Sequence, residues 1–317
     1  MVAGDLMLDT CCTGTVHRRS PEAPVDVLDW ESRMDSAGGA ANVALNIQGL
    51  GAQVGLTGWI GKDQPGLLLR ELLQQNKISD QGIMELLDFP TTHKTRYLNG
   101  SKHLLRVDHE SRIPIRRELI EQQSGVLEEL LSNCNAVVMQ DYDKGYFNAS
   151  NIKDLISLCQ QHCIPVAVDP KKDHFWLYQG VDLFKPNLKE LEQALGRPVS
   201  LEGNDLEEAC AETRNRLGCR ILMVTLGEQG IAVMNQEGWF RRKGNPRNVV
   251  DVCGAGDSVI AAAACGLALG LCSMQIADLA NLCGGLACEH SGTRPVTIAQ
   301  IRASQTIPAY PKQRIPS

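Results

Sequence analysis

Short apolar runs alternate with amphipathic stretches through most of this chain, and that rhythm restricts its fold more tightly than anything else. "AVVMQ" (136–140), "PVAVD" (165–169) and "ILMVT" (221–225) are strand-like, and helical patterns near 149–162 and 188–195 lie between them. Strands separated by helix-length segments pair in parallel through crossovers that cover the sheet. The expected fold class is α/β: a mainly parallel central sheet with helices on both faces. A length of 317 residues is enough for a full core without staples.

Two segments leave the rhythm. Residues 13–36, "TGTVHRRSPEAPVDVLDWESRMDS", alternate polar and apolar residues around two prolines, as exposed or edge strands do. Residues 92–108, "THKTRYLNGSKHLLRVD", carry Asn99-Gly100, a hairpin signal, between β-rich runs. Together they are expected to form a small antiparallel flap beside the main sheet; a solvent-facing extension used in dimer contacts fits the same pattern. Lys94 and Arg96 lie two apart on a predicted strand and so share a face. A strict two-residue Asn-Gly turn puts Arg106 on the opposite face, and a longer turn alters that.

A formal charge of -6 leaves no basic footprint for nucleic acid. The apolar run Val259 to Leu271 is broken by Gly266 and Gly270 and falls short of a bilayer. "MVAGDLMLD" lacks the basic start of a signal peptide, so a cytoplasmic protein is expected. Several of the twelve cysteines, Cys265, Cys272 and Cys283 among them, sit in apolar helical stretches, which favours reduced, buried thiols over bridges. With no Cys-x-x-Cys pair and no His-Glu-x-x-His pattern, a structural zinc site is not expected. The tail "IPAYPKQRIPS" (307–317) is rich in proline and polar residues and is expected to dock loosely or fray.

The chemistry concentrates at "DVCGAGDSVIAAAACGLALG" (251–270), where Gly254, Ala255 and Gly256 open a long apolar helix. Unpaired N–H groups and a positive dipole at a helix start, approached through small residues, make a cradle for a phosphate or oxyanion. Asp257 beside it either caps the helix or takes a proton from a substrate hydroxyl. A second glycine cluster lies at 37–61, where Gly38 and Gly39 open a helix with Asn42 in its first turn. Small residues there admit a ligand to the backbone, or simply pack the helix start tightly. Gly49-x-Gly51 with Gly55 has the wrong spacing for a dinucleotide fingerprint and leads into a strand-like run; Gly61-Lys62 is followed by Asp63 and lacks P-loop spacing.

With both clusters in view the sequence resembles the ribokinase-like sugar kinases of the PfkB family. One signature is Gly38-Gly39-Ala40-Ala41-Asn42-Val43-Ala44, with Gly51 and Gly61 following; the other is Asp251-Val252-Cys253-Gly254-Ala255-Gly256-Asp257. Between them "KPNLKEL" supplies Asn187 and Glu190, similar to the family's Asn-x-x-Glu element near magnesium and phosphate. "VTLGEQG" supplies Thr225, Gly227 and Gly230, which look like its nucleotide-side loop. Within the family, "GDLMLD", "SPEAPV", "KTR", "LLRVDHE", "DYDKG" and "VDPKK" resemble the heptose 7-phosphate kinase subgroup. Thr10-Cys11-Cys12-Thr13 and Cys253 depart from it, since Arg with aromatic residues, and Thr, are usual there.

The resemblance implies an ATP-dependent kinase, with magnesium bridging the phosphates and O1 of D-glycero-D-manno-heptose 7-phosphate as acceptor. Asp257 is then the base and Gly254, Ala255 and Gly256 the anion cradle. Asp9, Gly38, Gly39 and Asn42 line the sugar side, Asp5 being a lesser candidate. Lys94, Arg96, Arg106, Lys144 and Arg18 are cations for the sugar phosphate, and Asp141 is a hydroxyl acceptor. Asn187 and Glu190 reach magnesium directly or through water. Asn281 lines the adenine pocket, and Lys171 and Lys185 either neutralise nucleotide phosphates or are plain surface lysines. One kinase domain with a β lid (about 13–36 and 92–108) is expected over 1–317, with no nucleotidyltransferase domain. A homodimer through the exposed flap strands is expected. The rival readings are a kinase for another sugar and a catalytically silent sugar-binding protein.

Overall fold

The structure, a computed structural model, describes residues 1–100, 102–111, 117–244, 247–290 and 292–304; the tail expected to fray lies outside them. In chain order come β1 (Val2–Gly4), β2 (Leu6–Arg19), β3 (Asp26–Gly39), α1 (Ala40–Gly49), β4 (Gly55–Gly61), α2 (Gln64–Gln75) and β5 (Ser79–Leu86). Next are β6 (Thr92–Asn99), β7 (Lys102–His109), α3 (Arg117–Ser132), β8 (Val137–Gln140), α4 (Ala149–Gln161), β9 (Val166–Asp169) and β10 (Leu183–Phe184). The chain continues through α5 (Leu188–Leu195), α6 (Asp205–Leu217), β11 (Ile221–Thr225), β12 (Ile231–Met234) and β13 (Trp239–Arg242) to α7 (Ala255–Ala268), α8 (Ser273–Ala287) and α9 (Ile298–Ala303).

Nine strands form the main sheet in the order β13-β12-β11-β10-β9-β8-β1-β4-β5, parallel except for β12 and β13. Its middle strands are apolar up to their carboxyl ends, where β8 and β9 finish in Gln140 and Asp169, because both faces are covered. Val2, Ile221 and Met223 pack under α1, α2, α7 and α8, while Ala3, Leu222 and Val224 pack under α4, α5 and α6. Among the described residues no helix is long and apolar enough to cross a membrane. All twelve cysteines are free thiols.

A second, four-stranded sheet, β3-β2-β6-β7, forms a lid, with β2 and β6 parallel and the outer pairs antiparallel. It is rooted directly on the main sheet. The core strand ends at Gly4, and after Asp5 alone the chain enters the 14-residue lid strand β2, so Asp9 lies within the lid. Gly4 makes this possible: a Cβ there would stand 2.0 Å from the Gln140 carbonyl oxygen. The hairpin corrects the strict Asn99-Gly100 turn. Asn99 pairs with Lys102, one residue later, and a bulge between Tyr97 and Leu98 then sets Arg96 opposite Arg106. Arg106 therefore shares the face of Lys94 and Arg96, because one extra residue in a strand flips everything beyond it.

Candidate active site

Parallel strands deliver their carboxyl ends to one edge, where open α/β sheets bind ligands. Asp5, Gln140, Asp169, Lys185 and Thr225 stand at or just beyond the ends of β1, β8, β9, β10 and β11. The start of α7 meets them there. Gly254, its N-cap, has φ +76°, and a Cβ on it would lie 2.9 Å from Asn42 Nδ2, so glycine serves both conformation and space. Ala255 N–H turns back to the Val252 carbonyl at 3.3 Å; among the described residues no protein acceptor meets the N–H of Gly254, Gly256 or Asp257. Lys185 Nζ would stand 3.7 Å from a Cβ on Gly256, and it pairs with Asp169 at 3.0 Å. At 2% exposure Lys185 is no surface lysine.

Asp257 is buried in the first turn of α7. Its Oδ2 accepts from Asn42 Nδ2 at 2.7 Å, and its Oδ1 from Tyr142 Oη at 2.9 Å and Gln140 Nε2 at 3.2 Å. These partners are side chains from other elements, so the carboxylate is not spent on capping its own helix. Burial pushes its carboxyl up to about 6, helped by Asp169 and opposed by the bonds from Asn42 and Tyr142 and by Lys185.

The lid supplies the facing wall. Asp9 Oδ1 pairs with Arg96 at 2.6 Å. A Cβ on Gly38 would fall 2.3 Å from Asp9 Oδ2, and Gly39, with φ +58°, would clash with the Asp5 carbonyl at 2.4 Å. Lys94 Nζ touches the Met7 sulfur at 3.3 Å and sits 5.2 Å from the centre of the Tyr142 ring. Among the described residues no carboxylate comes within ion-pair distance of it, and burial lowers its pKa. Lys144, from the loop after β8, pairs with Glu110 at 2.8 Å and is close enough to Lys94 to oppose its charge. Arg106, paired with Asp108 at 2.9 Å, and Arg18 lie on exposed stretches of the lid strands.

Asp141 is placed elsewhere than a hydroxyl acceptor needs. It is buried under the loop, where Oδ2 accepts from Tyr178 Oη at 2.7 Å and meets His174 Nδ1 at 2.9 Å, and Oδ1 accepts the Asp143 N–H at 2.8 Å. Asp5 is the organiser of that loop: its carboxylate accepts from the N–H groups of Tyr142, Lys144 and Tyr146, at 2.7, 3.2 and 3.1 Å.

On the nucleotide side, Asn187 and Glu190 form a reciprocal capping box at the start of α5, and Glu190 Oε1 pairs with Lys171. Asn187 bridges to Thr225, after which Gly227 and Gly230 turn with positive φ. Asn281 Nδ2 donates to the Lys243 carbonyl at 2.8 Å, beside the loop that follows β13. Gln140, Asp169 and Tyr142 carry no role in the sequence analysis. Their signal was available, since the first two end predicted strands and the third lies in "DYDKG".

This site, a buried carboxylate beside an open amide cradle at the carboxyl edge of a parallel sheet, is that of a phosphoryl-transfer enzyme. The chain belongs to the pfkB family of carbohydrate kinases, whose pattern matches residues 3–299, and it is a carbohydrate kinase. It is 36% identical over 306 residues to the D-beta-D-heptose 7-phosphate kinase of Bordetella bronchiseptica, covering 96% of each chain. It is 38% identical over 315 residues to the bifunctional protein HldE of Koribacter versatilis, covering 98% of this chain but only 64% of that protein's length. In fold it matches phosphofructokinase-2 from Escherichia coli, with a TM-score of 0.78 at 20% identity over 96% of this chain and 97% of the other.

Proposed function

We propose that this kinase transfers the γ-phosphoryl group of ATP to O1 of D-glycero-D-manno-heptose 7-phosphate, a step toward ADP-heptose. One observation carries the reading: the base Asp257 and the half-buried ammonium of Lys94, which among the described residues has no carboxylate within ion-pair distance, face the same cleft. A desolvated cation without a partner is costly, and an anionic acceptor relieves that cost. The heptose 7-phosphate kinase of B. bronchiseptica, alike over nearly its whole length, supports the choice of sugar.

In this reading ATP lies across the strand ends with its phosphates over the Gly254–Gly256 amides and beside Lys185 and Lys171. The sugar lies under the lid, with Asp9 and Asn42 orienting its hydroxyls and Lys94, Arg96 and Lys144 holding its phosphate. Asp257 takes the hydroxyl proton late, as O–P bond formation develops, while the amides stabilise charge on the transferred group. Glu190 and Asn187 would hold a magnesium ion through its waters, and the ion would supply charge neutralisation for the phosphates. The residues suit a hydrated ion. Both Glu190 oxygens are already engaged, by Asn187 N–H and Lys171, leaving lone pairs for its waters but no cage.

The test is ADP release from ATP and magnesium across a panel of sugars and sugar phosphates, run on the native chain and on Asp257→Asn. Turnover should require heptose 7-phosphate, and the variant should lose about 10²–10⁴-fold in kcat with ligand affinities little changed. Turnover with a neutral sugar at equal efficiency, or a fully active Asp257→Asn, refutes the proposal.

A further inference from the structure

Tyr142 lies at the crossing of every part of this cleft. Its main chain is fixed from below, because its N–H donates to Asp5 at 2.7 Å. Its ring lies 5.2 Å from Lys94 Nζ of the lid and 5.0 Å from Lys171 Nζ on the nucleotide side. Its hydroxyl donates to Asp257 Oδ1 at 2.9 Å. A second donor, Gln140 Nε2, reaches the same oxygen at 3.2 Å, whereas among the described residues Oδ2 receives only Asn42 at 2.7 Å. A carboxylate oxygen has two good acceptor directions. Oδ1 is therefore full, and Oδ2 keeps one direction open.

We infer that Tyr142 is a positioning residue for phosphoryl transfer: with Gln140 it saturates Asp257 Oδ1 and leaves Oδ2 as the oxygen that receives the acceptor's proton. The inference rests on Asp257 being the base. In the step, the acceptor O–H bond breaks and its proton goes to Oδ2. The freed oxygen pair forms the new O–P bond, and the old P–O bond breaks with its electron pair leaving on ADP. Burial and the adjacent Asp257 charge hold the Tyr142 phenol well above its usual range, so it remains a donor throughout the working range of pH. The cation contacts on its ring tie this hydroxyl to the lid and to the phosphate side, so one side chain registers both substrates.

Two variants test it. Tyr142→Phe keeps the ring and removes the donor. kcat should fall about tenfold, the KM values for ATP and acceptor should stay within about twofold, and the acid limb of kcat/KM should move up by about one pH unit. Replacing Tyr142 with 3-fluorotyrosine keeps the shape and strengthens the donor, so the limb should move to lower pH. Asp169, Lys171, Lys185 and Cys253 also bear on Asp257 or are felt by it, and neither change removes them. Limbs that stay in place, or a Phe variant with altered KM and melting but an unmoved limb, overturn the inference. An active Asp257→Asn overturns the base assignment instead, so the two failures are distinguishable.

Discussion

Asp257 is informative as a single residue because its environment pulls its proton affinity in two directions. Burial and Asp169 raise its carboxyl to about 6, while Asn42, Tyr142 and Lys185 prevent a larger rise. Only the ionised form accepts a proton, so kcat/KM should be lost as pH falls through about 6 and be level above it, measured with acceptor well below saturation. A profile still flat at pH 5 would remove Asp257 from the role. The residue itself was legible from Gly254-Ala255-Gly256-Asp257, since a helix start of small residues has a local signature. Its partners were not, because Asn42, Gln140 and Tyr142 stand 215, 117 and 115 residues away and only the fold brings them together.

Among the elements, β2 and β3 show how a lid is set against a core. Gly38 pairs with Met7 across the antiparallel pair and lies diagonal to Asp9, and a methyl group there would lie 2.3 Å from Asp9 Oδ2 and 2.7 Å from Met7 Cγ. Gly38→Ala should therefore push Asp9 off Arg96. The expected cost is about 1–3 kcal/mol in urea unfolding. Acceptor KM should rise about tenfold while ATP KM holds, in line with a lost charge-assisted bond; unchanged acceptor KM would place Asp9 outside the sugar site. The core strands were readable because both of their faces are buried and each is an apolar run up to a polar carboxyl end. Lid register was not: Asn99-Gly100 marks a turn, but the bulge beyond it answers to pairing with β2 and β6, and it alone decides the face of Arg106.

For the whole molecule, the lid poses a problem of coverage. The face turned from the cleft carries Trp30 at 64%, Leu105 at 58% and Val107 at 48% exposure, with Tyr97 between them. Soluble chains rarely leave such a surface bare, and a second copy of the same sheet matches it by symmetry. Joined Trp30→Glu and Leu105→Glu should halve the sedimenting mass, and a native chain that sediments as a monomer at micromolar concentration would refute the homodimer. Exposed flap strands are expected to pair at their edges; the exposed apolar residues lie on one face, which the strand register sets. The lid's root has a last consequence. Asp5 alone separates β1 from β2, and its carbonyl takes the N–H of Ala40 at 2.9 Å, at the start of the helix that carries Asn42 to the base. The lid's root and the helix that holds Asn42 therefore share one anchor, the single residue Asp5.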